Sequence, residues 1–387
     1  MSGKAWAMAL LPLALLAGLL AWIVRSGPTE AFREGVPPVE VLAISRAVLA
    51  EGEIRLSVLN DGPDPVTIAQ VQVDEAYWAF TQEPPGELGR LGRKEIRLSY
   101  PWVHGETHRV KLVTSTGLTF EHEIRVAVPT PRPSARFFGI FALIGLYVGV
   151  IPVVLGLLWY PFAGRLGSKA MDFLLALTLG LLLFLLLDAL HEGAEIGRSL
   201  PGTYQSMALL AFGVGVAYLA LEGLGAWLKR RRSDFSAALV TALLVAVGIG
   251  LHNFGEGLAI GAAFALGEAG LGTLLVVGFT LHNTTEGLAI VAPLSRERVP
   301  WTRLLVLGLI AGLPTIAGAW LGGFVYSPLF SVLFLGLGAG AIAQVVLQIG
   351  RGSANDRPIS SYLASAPVAS GILAGFVLMY VTGMLVQ

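Results

Sequence analysis

Leu251-His252-Asn253-Phe254-Gly255-Glu256-Gly257-Leu258-Ala259-Ile260 recurs as Leu281-His282-Asn283-Thr284-Thr285-Glu286-Gly287-Leu288-Ala289-Ile290, at an offset of 30 residues and with eight of ten positions identical. Both copies lie well inside apolar segments of membrane-spanning length. A charged side chain at the centre of a bilayer costs at least ~2.5–3.5 kcal/mol, so ionisable groups placed there are functional candidates. His and Glu at i and i+4 share one helix face, with Asn about 100° round from the His. A short turn over 266–271 joins the segments, so the helices run antiparallel. Residues equally far from a turn centre at 269 lie at equal depth, which sets His252 level with Glu286 and Glu256 level with His282. Two His, two Glu and two Asn then surround one small volume. Imidazole with carboxylate suits zinc, iron(II), manganese or cobalt, and the carboxylates are placed to bridge two ions. Gly257 and Gly287 reduce bulk and are expected to free nearby carbonyls as further ligands. The plainer reading, two neutralised His–Glu pairs that glue helices together, is the weaker one, because paired buried ions are a poor source of stability.

Composition agrees with a lipid setting. Of 387 residues, 55% are hydrophobic and 13% charged, and mean hydropathy is +0.71. A soluble chain averages about 25% charged residues. Formal net charge is zero, which gives no electrostatic case for nucleic acid. Cysteine is absent. Disulfides, thiolate ligands and cysteine nucleophiles are thereby excluded, and a metal site must use His, carboxylate and amide groups. Most of the 48 glycines fall in apolar segments, where small residues let helices pack closely.

Upstream, Ala5 to Val24 form an apolar run behind Lys4, without a clear cleavage site before Arg25. An uncleaved anchor is the better reading and a signal peptide the alternative; both put the next segment outside the cytoplasm. From Gly27 to Pro133 the chain is polar, with alternating stretches 53–58, 66–71, 95–98 and 108–113 broken by Asn60-Asp61-Gly62-Pro63 and Pro84-Pro85-Gly86. Period-two alternation between turn signals predicts a β-sandwich. A stiff linker, Pro129-Thr130-Pro131-Arg132-Pro133, ends it.

Eight apolar segments come next, at about 138–160, 171–190, 207–228, 237–262, 270–293, 303–325, 330–350 and 365–386. Each fits a hydrocarbon core about 30 Å thick. With the sandwich outside, the inner loops carry Arg165, Lys169, Lys229, Arg230, Arg231, Arg232, Arg296, Arg298, Arg303, Arg351 and Arg357, against Arg198 alone outside. That asymmetry obeys the positive-inside rule. The expected fold is an all-α polytopic membrane protein, an eight-helix bundle over 134–387, preceded by an anchor or signal helix (1–26) and an Ig-like all-β sandwich (27–133).

From Phe137 to Gln387 the chain resembles the ZIP (Zrt/Irt-like) metal transporters, and within them the GufA-like bacterial branch. The resemblance rests on the doubled His-Asn-x-x-Glu-Gly motif in helices four and five, the helix positions and the topology. It implies a binuclear site at mid-membrane. It also implies uptake of Zn2+ (or Fe2+, Mn2+, Cd2+) into the cytoplasm by an elevator-like or rocking motion. The ion is transported substrate, with no organic cofactor. Carried over, His252, Glu256, His282 and Glu286 look like the primary site, and Asn253 and Asn283, with shared carboxylates, like the second. Gly255 and Thr285 replace the usual motif proline, so any kink must come from glycine. Thr315 stands where helix six often carries a Glu, which weakens or removes the second metal. The short Lys229 to Arg232 run replaces the common His-rich loop. The implied location is the cell (inner) membrane, with the sandwich on the extracytoplasmic side. Partners are divalent ions and the lipid bilayer, while a homodimer and an unknown ligand of the sandwich are left open.

Other residues carry weaker signals. Asp188, His191, Glu192 and Glu195 close helix two and read either as a cation-concentrating entrance or as an ordinary solvated helix end. Glu222 reads as neutralised by Lys229 to Arg232, or snorkelling, rather than as an exit group. Gln344 and Gln348 read as interhelical hydrogen-bonding groups before pathway amides. His104, Glu106 and His108, with Glu121-His122-Glu123, form a candidate metal-capture patch, though surface histidines are common. Tyr77-Trp78-Ala79-Phe80 reads as sandwich core. Against a transporter stand a membrane metalloenzyme using the same ligands, for which His-Glu-x-x-His and a free base are missing, and a receptor or scaffold, which leaves the buried His and Glu unexplained.

Overall fold

The computed structural model describes residues 11–12, 14–22, 38–200, 202–231, 236–266, 269–325, 327–354 and 358–384. Within the expected anchor, residues 14–22 are helical and exposed. The rest of that anchor apart from 11–12, residues 27–37 of the expected β region, Arg232 and Arg357 lie outside the described residues.

The β region forms eight strands: β1 (Leu42–Ala50), β2 (Glu53–Asn60), β3 (Ile68–Val73), β4 (Ala76–Tyr77), β5 (Phe80–Glu83), β6 (Arg93–Ser99), β7 (His108–Thr114) and β8 (Thr119–Ile124). They make two antiparallel sheets, ordered β1-β2-β6-β5 and β4-β3-β7-β8. Period-two alternation explains the layering. Ile54 and Leu56 pair across the ladder with Leu98 and Ile96, and this apolar face meets Ile68, Val71, Val73, Val110 and Leu112 of the other sheet in one core. Tyr77 departs from the expected core run: it is 68% exposed. Alternation places it on the side opposite Trp78, which packs edge-on against Tyr100 with ring centroids 4.9 Å apart.

The helical part comprises α1 (Ala135–Ala163), α2 (Ser168–Ser199), α3 (Ser206–Arg231), α4 (Ala237–Ala265), α5 (Ala269–Val291), α6 (Trp301–Val325), α7 (Pro328–Ala354) and α8 (Ala366–Met384). Among the described residues seven, α1 to α7, are long and apolar enough to cross a membrane; the apolar part of α8, Ala366–Val381, is shorter. The chain is thus a multi-pass membrane protein with seven such helices among the described residues, and α8 stands where the sequence places the eighth span. Ser134 and Ser236 cap α1 and α4, accepting from Phe137 N at 3.3 Å and Leu239 N at 3.1 Å.

Glycines sort the helices into two groups. In the first, α1, α4, α5 and α6, a Cβ on Gly145 would fall 2.7 Å from Ile316 Cα, on Gly250 2.5 Å from Ile310 O, and on Gly312 2.7 Å from Val150 Cα. In the second, α2, α3, α7 and α8, Gly336 would meet Leu210 O at 2.5 Å and Gly371 would meet Phe173 O at 2.5 Å. Between the groups spacing is looser: a Cβ on Gly248 would fall 3.0 Å from a Val345 methyl, on Gly338 3.3 Å from His252 Cα, and on Gly255 3.5 Å from a Leu335 methyl. Within each group a Cβ on these glycines would fall 2.5–2.7 Å from backbone atoms, whereas across the seam the nearest atom lies 3.0–3.5 Å away, a side chain at Gly248 and Gly255 and backbone at Gly338.

Candidate metal centre

His252, Asn253 and Glu256 on α4 and His282, Asn283 and Glu286 on α5 are all buried. Glu256 is the hub. Its Oε1 lies 2.5 Å from His282 Nε2 and 3.3 Å from His252 Nε2, and its Oε2 accepts from Asn283 Nδ2 at 2.9 Å. The His252 approach is not aligned as a hydrogen bond, and that Nε2 has no such partner. One ligand atom each from His252, Glu256 and His282 lies within 4.8 Å of the others. Metal–ligand bonds of about 2.0–2.2 Å put two ligands on one ion roughly 3–4 Å apart, so small rotamer changes suffice.

Each motif Asn is held by a break in a neighbouring helix. Residues 146–150 of α1 form a π turn, and Pro152 has no N–H to return to the Val148 carbonyl. Asn283 Nδ2 donates to Val148 O at 3.0 Å instead. The ladder of α6 is interrupted at Leu313, before Pro314, and there Asn253 Nδ2 donates to Ala311 O at 3.2 Å. Because these NH2 groups face acceptors only, the amide orientation is fixed and each Oδ1 turns the other way. His252 Nε2, both Asn Oδ1 atoms, both Glu286 oxygens and Thr315 Oγ1 are buried without a hydrogen-bond partner. Such acceptors cost free energy unless something positive faces them. The residues fit a divalent cation.

No family model matches the chain. No curated protein matches it either.

Four sequence expectations are corrected here. Equal depth does bring Glu256 to His282, but the mirror pair does not form, since His252 leans on Glu256 of its own helix and Glu286 stands outside the three-residue group. A second carboxylate drawn to the same imidazoles would meet the charge of Glu256. The motif helices also carry no break at the motif: α4 and α5 run on as continuous helix through Gly255 and Thr285, which retain their N–H groups, and the breaks lie in α1 and α6. At Gly257 and Gly287 the reduced bulk serves close packing, since a Cβ at either would collide with Thr315 O or Val153 O, but the helix continues through both positions instead of opening to free carbonyls. Finally, His108 is no capture ligand. It is buried, its Nδ1 lies 2.7 Å from Asp74 Oδ2, and its Nε2 accepts from Val103 N at 3.3 Å. His104 and Glu106 remain exposed.

The remaining residues fall into separate places. Thr315 is fully buried against Gly149. Asp188 and His191 are exposed and Glu192 half-buried. Glu192 and Glu195 line a cavity of about 450 Å³ that reaches Gly255, beside Glu256. Gln344 Nε2 donates to Glu222 Oε2 at 3.1 Å and Gln348 Oε1 at 2.8 Å, and Gln348 Nε2 donates to Thr241 Oγ1 at 3.1 Å. These glutamines bind helices to one another, away from the motif. The carbonyls of Val148 and Ala311 escape motif reading, although Pro152 and Pro314 within apolar segments signal a broken ladder.

Proposed function

We propose that the chain is a divalent metal ion transporter of the ZIP type, GufA-like, moving Zn2+, with Fe2+, Mn2+ and Cd2+ as related substrates, into the cytoplasm. The observation that carries this reading is the Glu256 carboxylate set between imidazoles of two membrane helices, among buried oxygens that lack donors. Imidazole and carboxylate ligands bind such ions without thiolates. His252, Glu256 and His282 make the first contacts, and Glu286, Asn253 and Asn283 complete the shell as cargo enters. Thr315 contributes a neutral hydroxyl at most, which favours one ion over two.

The two glycine-locked groups support a moving-carrier mechanism, with the site riding on α1, α4, α5 and α6 past a looser seam. The protein then sits in the cell (inner) membrane with its sandwich extracytoplasmic, and the Glu192–Glu195 cavity is the entrance. Its role is transport, not catalysis. One observation favours the metalloenzyme alternative: Glu286 is a carboxylate outside the three-ligand group, of the kind a general base needs. Proteoliposomes loaded with a metal-sensitive dye decide between them. Dye response to external Zn2+ without ester or peptide hydrolysis supports transport; hydrolysis without a dye response supports the enzyme.

A further inference from the structure

The outward face of sheet β1-β2-β6-β5 turns toward the helices. Cross-strand neighbours share a face. The pairings Arg46↔Ser57, Ser57↔Glu95 and Leu59↔Arg93 therefore put these side chains opposite the core face of Ile54, Leu56 and Val58. Contact with the α2–α3 turn is direct: Arg93 Nη2 donates to Tyr204 Oη at 3.2 Å, and Gly202 N donates to Asp61 Oδ2 at 3.1 Å. Between sheet and helices lies a cavity of about 640 Å³, with Tyr204, Leu266 and Ser327 from three interhelical turns on one side and Arg46, Arg93 and His122 on the other. It shares Leu266 with the cavity that descends to Glu192, Glu195 and Gly255. The roofed space adjoins the route to Glu256.

Its charge is the wrong sign for a bare cation. Glu95 is already taken by Arg97 Nε at 2.5 Å. Lys94 spends its ammonium on Gln82 and the Gly86 carbonyl. Arg46 is half-buried, and burial alone, with no acidic neighbour contributing, lowers its pKa. Burial also lowers the pKa of His122, leaving a neutral imidazole. Two strand spacings and two residue steps separate Arg46 from Arg93 by about 12 Å at Cα, within joint reach around a small ligand. Guanidinium forks match carboxylates in bidentate geometry.

We propose that this cavity binds a small polycarboxylate, the chemistry of a soluble metal chelator, anchored by Arg46 and Arg93 with Ser57, Tyr204 and His122 as hydrogen-bonding groups. Metal then arrives under the sandwich as an anionic chelate and passes to the carboxylates below. The inference rests on the transport reading.

Citrate is the probe. Calorimetric titration of the full chain in phosphatidylcholine nanodiscs, without metal, is expected to show saturable binding that weakens at least tenfold in Arg46→Gln and in Arg93→Gln, with the melting temperature kept. Zn2+ uptake from limiting citrate complex is expected to drop in the same variants while uptake of free Zn2+ is unchanged. Free-ion uptake together with no citrate binding, or with equal citrate binding in both variants, overturns the proposal and leaves transport standing. No uptake in either form defeats the transport reading, and with it the delivery role. Citrate binding abolished by phosphatidylglycerol in the nanodiscs identifies a lipid headgroup as the occupant and also overturns the proposal.

Discussion

Asp74 shows how a single residue ties down the sandwich. Burial raises its pKa, but hydrogen bonds from Arg109 N, His108 and Tyr100 outweigh that and hold the carboxyl below its ordinary value. Tyr100, by burial first and then by its bond to Asp74, is pushed up to about 12. A carboxyl whose folded pKa is depressed stabilises the fold above its unfolded value, about 3.9, and that contribution is lost as pH falls through the folded value. Asp74→Asn is therefore expected to lower the melting temperature at pH 7 and to narrow the gap to wild type near pH 3, followed by thermal denaturation. An unchanged gap across that range contradicts the linkage. On the proposed transport reading, the imidazoles of His252 and His282 must be neutral to bind a cation, so protons compete with cargo. Uptake is expected to fall as pH drops below about 6, and a flat profile counts against histidine ligands.

Among the elements, strands β2, β3, β6 and β7 are legible because period-two alternation is a local property. β1 is not: its run Leu42-Ala43-Ile44-Ser45-Arg46 carries a bulge between Ile44 and Arg46 that breaks the period. Helix extents are legible from apolar length, but their partners are not, since glycine contacts such as Gly257 with Thr315 join residues far apart in sequence. This contrast gives a test. Gly257→Ala drives a methyl into the α6 backbone and should destabilise the chain by about 1–3 kcal/mol. Gly255→Ala meets only a Leu335 methyl at 3.5 Å and should be neutral, or stabilising by up to ~1 kcal/mol through helix propensity. Melting curves in detergent check both; equal losses would mean that close approach is not what position 257 requires.

At the scale of the whole molecule, the repeated motif makes the site legible as a set of residue types, while rotamers decide which carboxylate becomes the hub. Glu256 and Glu286 are equivalent in sequence but unlike in space, because Glu256 gathers both imidazoles and Asn283. The seam between the helix groups is crossed by Gln348 Nε2 to Thr241 Oγ1 at 3.1 Å, on the side of the site away from the sandwich. The proposed carrier motion requires the two groups to part there. The chain contains no cysteine, so Thr241→Cys with Gln348→Cys offers a clean pair: oxidative cross-linking is expected to stop uptake and reductant to restore it. Full uptake in the cross-linked protein argues against movement along this seam. The most direct test of the metal-transport reading is Zn2+ flux into proteoliposomes carrying wild type, Glu256→Ala or Glu286→Ala, each shown to be folded. Flux in wild type and none in either variant is the predicted result; wild-type flux in Glu256→Ala would contradict the account.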